Sequence, residues 1–411
     1  MGQTEQQHSL PTDHSPLVTR HAGFWQTLPR PIIGLSPMDG VTDAAFRGIV
    51  AAQGPPDVTM TEFTSVVDLC RGPEHRLNSL LYHECERPVV AQLYGKDPET
   101  FYQAAMVVCA LGFDGLDINM GCPSRTVASS GSGAGLIRTP ELARAIVRAT
   151  RQGILDWAAG RSLADAGIKP MRQEQIASRN IRRGGSEHGG RRAIPLSIKT
   201  RMGYDRDVVE TWIGLLLEEA PAAITLHGRT LEQMYRGAAD WTAIERAARL
   251  AQGTGTLVLG NGDLATPADV VHRVTAHRVD GVLVGRGALG TPWFFKDKQA
   301  MRAAVTGPAP APALPVFPQE ERFAVMLDHA RLFEACFGVD RFPHIRKHLG
   351  WYCKGFPGAA AMRGRMVQAA NGDDVARIVS EHLAGALSMA SPADAVGQDL
   401  PLACGLSPSS R

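Results

Sequence analysis

Cys122 stands between Gly121 and Pro123, directly after the apolar run from Gly115 to Asn119. A free cysteine is most often a small buried hydrophobe, which is how Cys109 and Cys336 read. At Cys122 the flanking residues dictate a turn instead. The next stretch, SRTVASSGSGAG, is polar and glycine-rich, as a mobile loop over a site would be. A thiol held there could move a proton. Lys199 lies in the otherwise apolar LSIKTR. An ammonium in such a place needs an anionic or electron-rich partner, or gives up its charge. Two chemistries follow: a cation beside a reduced cofactor ring, or a Schiff base with a sugar carbonyl. His227, in AITLHG, shares that pocket if side chains alternate along the run, or is an ordinary core histidine. Gly260 and Gly262 flank Asn261 just before Asp263, and Gly285 and Gly287 flank Arg286. Such turns either turn backbone N–H groups toward a phosphate monoester, with the guanidinium assisting, or merely permit a tight bend.

The elements that must hold these side chains are eight short aliphatic runs. They are PIIGLS (31–36), DVTMTEF (57–63), RPVVAQLY (87–94), DGLDINM (114–120), IPLSIKT (194–200), AAITLHG (222–228), GTLVLGNG (255–262) and DGVLVGRG (280–287). Near-continuous apolar runs suit parallel strands covered on both faces. Helical patterns lie between them, including DPETFYQAAMVVCALG and TPADVVHRVTAH; the latter has Thr266 placed to cap and Pro267 at the first helical position. The fold class predicted is α/β, a (β/α)8 TIM barrel followed by a small C-terminal all-α helical domain, with an open doubly wound sheet as the rival. In a barrel the chemistry sits where strands end. Here those ends carry Ser36 to Asp39, Glu62, Gln92, Asp117 and Asn119, Lys199 and Arg201, His227 and Arg229, Asn261 to Asp263, and Gly285 to Gly287. The chain divides into a disordered leader (1–30), the barrel (31–305) with an insertion at 151–194, a Pro/Ala linker (306–318), a helical domain (319–389) and a flexible tail (390–411). The insertion contains ASRNIRRGGSEHGGRRA, read either as a solvated mobile segment or as an arm for nucleic-acid phosphates.

Composition bounds the reading. The chain has 411 residues with 43 basic and 41 acidic, so a polyanionic partner must meet a local basic patch and not a net field. Hydrophobic residues make up 44% and charged residues 20%, an ordinary globular balance. The seven cysteines form no C-x-x-C pair and no zinc spacing, which points to reduced thiols, no metal and a cytoplasmic setting. No run approaches a membrane span, and the polar N-terminus lacks the apolar core of a secretory signal.

LSPMDGVTD, DINMGCPSRTV with GSGAGLI, SIKTRMGYD, ITLHGRTLEQMYRGAADW, GNGDL and GVLVGRGALGTPWFF together resemble the tRNA-dihydrouridine synthase family. IRKHLGWYCKGFPGA (345–359) resembles the start of that family's helical domain, and the likeness covers 31–370 apart from 151–194. The resemblance implies an FMN-bound barrel that reduces the C5–C6 double bond of particular uridines in tRNA. It implies that Pro37, Met38 and Asp39 line the flavin, that Gln92 bonds its ring, and that Lys199 and His227 sit at its pyrimidine side. Asn261, Gly262, Asp263, Gly285 and Arg286 would hold the ribityl phosphate, and Asn119 and Arg201 would contact the uridine. NADPH would be the transient reductant and Cys122 the acid that protonates C5, which requires a thiol whose pKa is not depressed. The base must be extruded to reach a barrel floor. Arg346, Lys347, Lys354, Arg363 and Arg365 would meet tRNA phosphates, or form a solvated helix face. The protein is expected to be a monomer without membrane or metal partners. The rivals are an FMN barrel acting on dihydroorotate, an aldolase using Lys199, and a catalytically silent RNA-binding protein.

Overall fold

Strands β1 (Ile32–Leu35), β2 (Thr59–Met60), β3 (Thr64–Ser65), β4 (Val89–Tyr94), β5 (Gly115–Met120), β6 (Leu196–Arg201), β7 (Ala223–His227), β8 (Leu257–Asn261) and β9 (Gly281–Val284) all run in one direction. β9 pairs back with β1, and a β2–β4 pairing shuts the ring, giving a closed eight-stranded parallel barrel with β3 appended to β4. The computed structural model describes residues 23–185 and 191–389. The run DVTMTEF, expected as one strand, is split. The hydroxyl of Thr61 accepts the Gln92 N–H at 3.1 Å, so a side chain replaces the ladder between β2 and β3.

β1, β5, β7 and β9 are buried at every position, because helices cover the outer face and side chains fill the lumen. The helices Ala44–Gln53, Pro98–Ala110, Pro140–Ala158, Val209–Glu218, Trp241–Ala251 and Pro267–His277 follow strands. Their starts are written in side chains. Asp43 accepts from Phe46 N at 2.9 Å, Asp97 accepts from Thr100 N at 3.0 Å, and Thr266, the cap anticipated before Pro267, forms a reciprocal capping pair with Asp269.

Residues 23–30, assigned to the leader on sequence, are packed. Trp25 is wholly buried against Ile32, Val58, Met60, Val90 and Leu257, closing the end of the barrel where the strands begin. Trp25, with Phe24 and Leu28 packed on the same cluster, ties the segment to the barrel. Residues 1–22 and the tail 390–411 lie outside the described residues. The insertion is not a loose arm over its described length. Helix Pro140–Ala158 runs into it, and a second helix, Pro170–Arg182, is docked on the barrel. Asn180 donates to Ala110 O at 2.8 Å, Arg179 to Asn78 Oδ1 at 2.9 Å and Arg183 to Leu111 O at 2.7 Å. Its residues 186–190 lie outside the described residues.

Helices Gln319–Phe337, Arg346–Tyr352, Ala359–Met366 and Gly372–Met389 share an apolar core built on Phe323, Met326, Phe333, Phe342, Leu349 and Val375. That core continues into barrel residues Ala45, Ile49 and Trp293, and Trp293 stacks on Phe317 with ring centroids 4.2 Å apart. The helical part is therefore seated against the helix Ala44–Gln53 and the turn Pro292–Phe295.

Candidate functional site

Strand register sets the site in tiers. Gln92, Asp117 and Ser197 are direct neighbours across β4, β5 and β6, Asn119 is level with Lys199, and Arg201, His227 and Asn261 form the upper tier. Side chains two apart on a strand share a face, so Asp117 with Asn119, and Ser197 with Lys199 and Arg201, point the same way.

The thiol is gripped through its backbone. Asn119 Oδ1 accepts from both Gly121 N (3.0 Å) and Cys122 N (2.8 Å), while Arg201 Nε donates to Gly121 O at 2.6 Å. Cys122, expected on a turn over the site, is only 6% exposed, because the following segment folds back over it. Gly133 makes that return possible. Its φ is +56°, and a Cβ there would come within 3.1 Å of Cys122 Cβ. Burial pushes the Cys122 thiol pKa up, against the weaker pull of the Ser124 N–H, Arg201 and Lys199, so it is protonated at neutral pH.

Lys199 is half-buried and donates to Asn261 Oδ1 at 3.1 Å, while Asn261 Nδ2 donates to Leu283 O at 2.7 Å. Burial, with Arg201 beside it, lowers the Lys199 pKa to about 8. His227 is held well below its ordinary value by burial and by Arg201, Lys199, Arg229 and Arg286, so it is a neutral imidazole. Arg229 bonds both carboxylate oxygens of Asp263 (2.9 and 2.7 Å), and Arg286 reaches the same group at 3.2 Å. Four cations, Lys199, Arg201, Arg229 and Arg286, thus meet two carboxylates, Asp117 and Asp263, and the only hydrogen-bond acceptor Lys199 has among the described residues is a neutral amide oxygen. The rim fits an anionic, electron-rich ligand. Gly262 has φ +129° with Ala239 Cβ 2.6 Å from where a Cβ would sit, and Gly285 faces Met38. The turns after β8 and β9 are therefore bare backbone, as a phosphate cradle requires.

Four sequence-named residues are placed differently from their expected roles. Gln92 has no exposed surface, and its amide is spent on Asp117 and Asn119, so it lies in the strand tier below Asn119 and Lys199. The Asp263 carboxylate is occupied by Arg229, Arg286 and the Ala239 N–H (2.8 Å), leaving only its backbone for a phosphate. Asp39 is exposed, within reach of the charge on Lys347, whereas Pro37 and Met38 stay half-buried at the rim. Arg201 is spent on Gly121 O and Thr230 O, leaving Nη2 without a hydrogen bond among the described residues. Ser197 was missed, although it stands two residues before Lys199 and so on the same face. Of the five basic helical-domain candidates, Arg346 and Arg363 donate to the carbonyls of Ala369 and Cys353, and Arg365 pairs with Glu381. Lys347 and Lys354 are exposed, against Gly40 after β1 and Leu289 O after β9. A recess of about 340 Å³ at the opposite end, lined by Glu84, Arg87, Arg183 and Arg192, pairs its charges internally and carries none of these groups. Among the described residues no cluster of three or more His, Cys, Asp or Glu could hold a metal, and no helix is long and apolar enough to cross a membrane.

The family model for dihydrouridine synthase matches residues 34–154 and 179–387. A Staphylococcus aureus (strain COL) protein named "Probable tRNA-dihydrouridine synthase" is 30% identical over 356 residues, covering 84% of this chain and 90% of the relative. "Probable tRNA-dihydrouridine synthase 2" of Bacillus subtilis (strain 168) is 29% identical over 369 residues, covering 87% and 96%. A solved structure of morphinone reductase aligns at a TM-score of 0.36 with 12% identity, covering 70% of this chain and 88% of that one.

Proposed function

The chain belongs to the dihydrouridine synthase family, and on that footing we propose that it reduces the C5–C6 double bond of particular uridines in tRNA, using FMN at the strand ends and NADPH as reductant. The observation that carries this reading is the buried side chain of Cys122, its turn fixed by Asn119 and Arg201 beside the cation-rich rim. When bound and reduced, FMN would supply the hydride that adds at C6. Lys199, His227, Asn261, Gly262, Gly285, Arg286 and the backbone of Asp263 would hold it, with Pro37, Met38 and Asp39 on the side of β1. Addition at C6 builds negative charge at C5 and O4, and Cys122 gives its proton to C5. The resulting thiolate is reprotonated from water, and its raised pKa favours that return.

Asn119 has both acceptor sites of Oδ1 filled and one Nδ2 hydrogen in use, so it offers the base a single donor. It therefore reads a uracil carbonyl, and Nη2 of Arg201 can read another. A stacked base cannot reach this tier, so the uridine must be everted. Lys347 and Lys354 flank the rim and suit phosphates of the tRNA body, recognised by shape and charge. The test is to give the purified protein NADPH with unmodified tRNA or with orotate and assay both products. Dihydrouridine in tRNA with orotate left unreduced is the expected result. The reverse, or a borohydride-trapped Lys199 adduct from a colourless protein, contradicts the proposal.

A further inference from the structure

We infer that Asp117, a residue with no expected contact to substrate or flavin, is the positioning residue that sets the direction of the hydrogen bonds ending at Cys122; this rests on the reading of Cys122 as the proton donor. The chain of contacts is continuous. Ser197 Oγ donates to Asp117 Oδ1 at 2.6 Å and Gln92 Nε2 donates to Asp117 Oδ2 at 2.8 Å. Asn119 Nδ2 donates to Gln92 Oε1 at 2.9 Å, and Asn119 Oδ1 accepts from Gly121 N and Cys122 N.

An ionised carboxylate only accepts. Gln92 must therefore turn its NH2 toward Asp117 and its oxygen toward Asn119. Asn119 must then turn its own NH2 toward Gln92, which leaves its oxygen for the two N–H groups of the Cys122 turn. The backbone N–H groups of Gly121 and Cys122 favour the same orientation from the other end, and without the charge they hold it alone; a flipped Asn119 would set NH2 against N–H. Among Asp117, Gln92 and Ser197 water cannot restore the polarity, since Gln92 and Asp117 are 0% exposed and Ser197 1%, against 7% for Asn119. Burial raises the Asp117 pKa to about 6, with Ser197, Gln92 and Lys199 opposing, so the carboxylate is the form present at neutral pH.

The test compares Asp117→Asn, Gln92→Glu and the double swap, in flavin-loaded protein. In the swap, the carboxylate introduced at position 92 would accept from both Asn119 and the new amide at position 117. The oxygen of that amide would accept from Ser197, so the polarity at Asn119 is restored. Two readouts are taken: single-turnover reduction of tRNA, and the alkylation rate of Cys122 followed by peptide mass spectrometry. Asp117→Asn is expected to slow tRNA reduction by about tenfold or more with the KM for tRNA unchanged, and to speed Cys122 alkylation comparably, as a misdirected buried hydrogen bond would. The swap is expected to return both to near wild-type values. Wild-type rates in Asp117→Asn, or a folded swap as impaired as Asp117→Asn, overturn the inference. If Asp117→Asn yields no soluble protein, the swap against wild type decides on the same terms. If wild type makes no dihydrouridine, the functional reading fails, and the alkylation arm still judges the positioning role.

Discussion

Lys199 is the side chain whose charge the site leaves least satisfied. Burial holds its pKa near 8 against an ordinary 10.5, which means the free protein loses that proton early. An anionic ligand raises the pKa, so binding takes up a proton above pH 8 and none below it. FMN affinity, read from quenching of flavin fluorescence, is expected to be level up to about pH 8 and to fall by up to tenfold per pH unit above it. Lys199→Met is expected to bind weakly with that pH dependence gone; an unchanged profile contradicts the pairing. Lys199, His227 and the glycine turns after β8 and β9 were legible in the sequence because period-two alternation and strand ends suffice to place them. Asp263 and Gln92 were legible as positions but not as partners. Nothing in the sequence says that Arg229 would take the Asp263 carboxylate, or that Gln92 would be sealed in the tier below Asn119 and Lys199, because both follow from contacts between strands far apart in the chain.

The elements that carry these residues depend on a few buried anchors. Trp25 fills the strand-start end of the barrel, and Trp25→Ala is expected to lower stability by about 3–5 kcal/mol in urea unfolding, as deletion of a fully buried aromatic does. A loss under about 1 kcal/mol would mean the segment is a loose leader after all. His329 and His348 lie against each other and Phe46 where the helical part meets the barrel, ring centroids 4.9 Å apart, and neither Nε2 has a partner among the described residues. Burial lowers the His329 pKa to about 3 and depresses His348 as well. Unfolding frees both to protonate, so stability is full above pH 6.5 and falls below it, by up to about 1.4 kcal/mol per pH unit for each histidine. Urea midpoints measured from pH 7 to 4 are expected to show that slope, and His329→Leu about half of it. The eight strands were readable because parallel barrel strands are buried on both faces. The break between β2 and β3 was not, since the Thr61 hydroxyl acts in place of a backbone group. The docking of the helix Pro170–Arg182 was hidden because its polar anchors are Asn180, Arg179 and the capping Arg183, residue types that sequence patterns assign to solvent.

For the molecule as a whole, the near balance of 43 basic and 41 acidic residues leaves RNA attraction to local placement. Of the five basic candidates on the helical part, Arg346 and Arg363 are spent on carbonyls and Arg365 on an ion pair, while Lys347 and Lys354 stand exposed at the rim, Lys354 with one donor on Leu289 O. The Lys347→Ala/Lys354→Ala double variant is expected to raise KM for tRNA several-fold, leave FMN content unchanged, and flatten the dependence of log affinity on log salt by about one to two. An unaltered salt slope would place the tRNA body elsewhere. In the proposed reaction the thiol at the end of the Asp117–Gln92–Asn119 chain completes the reduction. The most direct measurement is a single turnover of flavin-loaded, NADPH-reduced Cys122→Ala on unmodified tRNA. Flavin reduction and tRNA binding at wild-type levels, with dihydrouridine formation slowed by about a hundredfold or more, is the result the account expects. Dihydrouridine formed at the wild-type rate would contradict it.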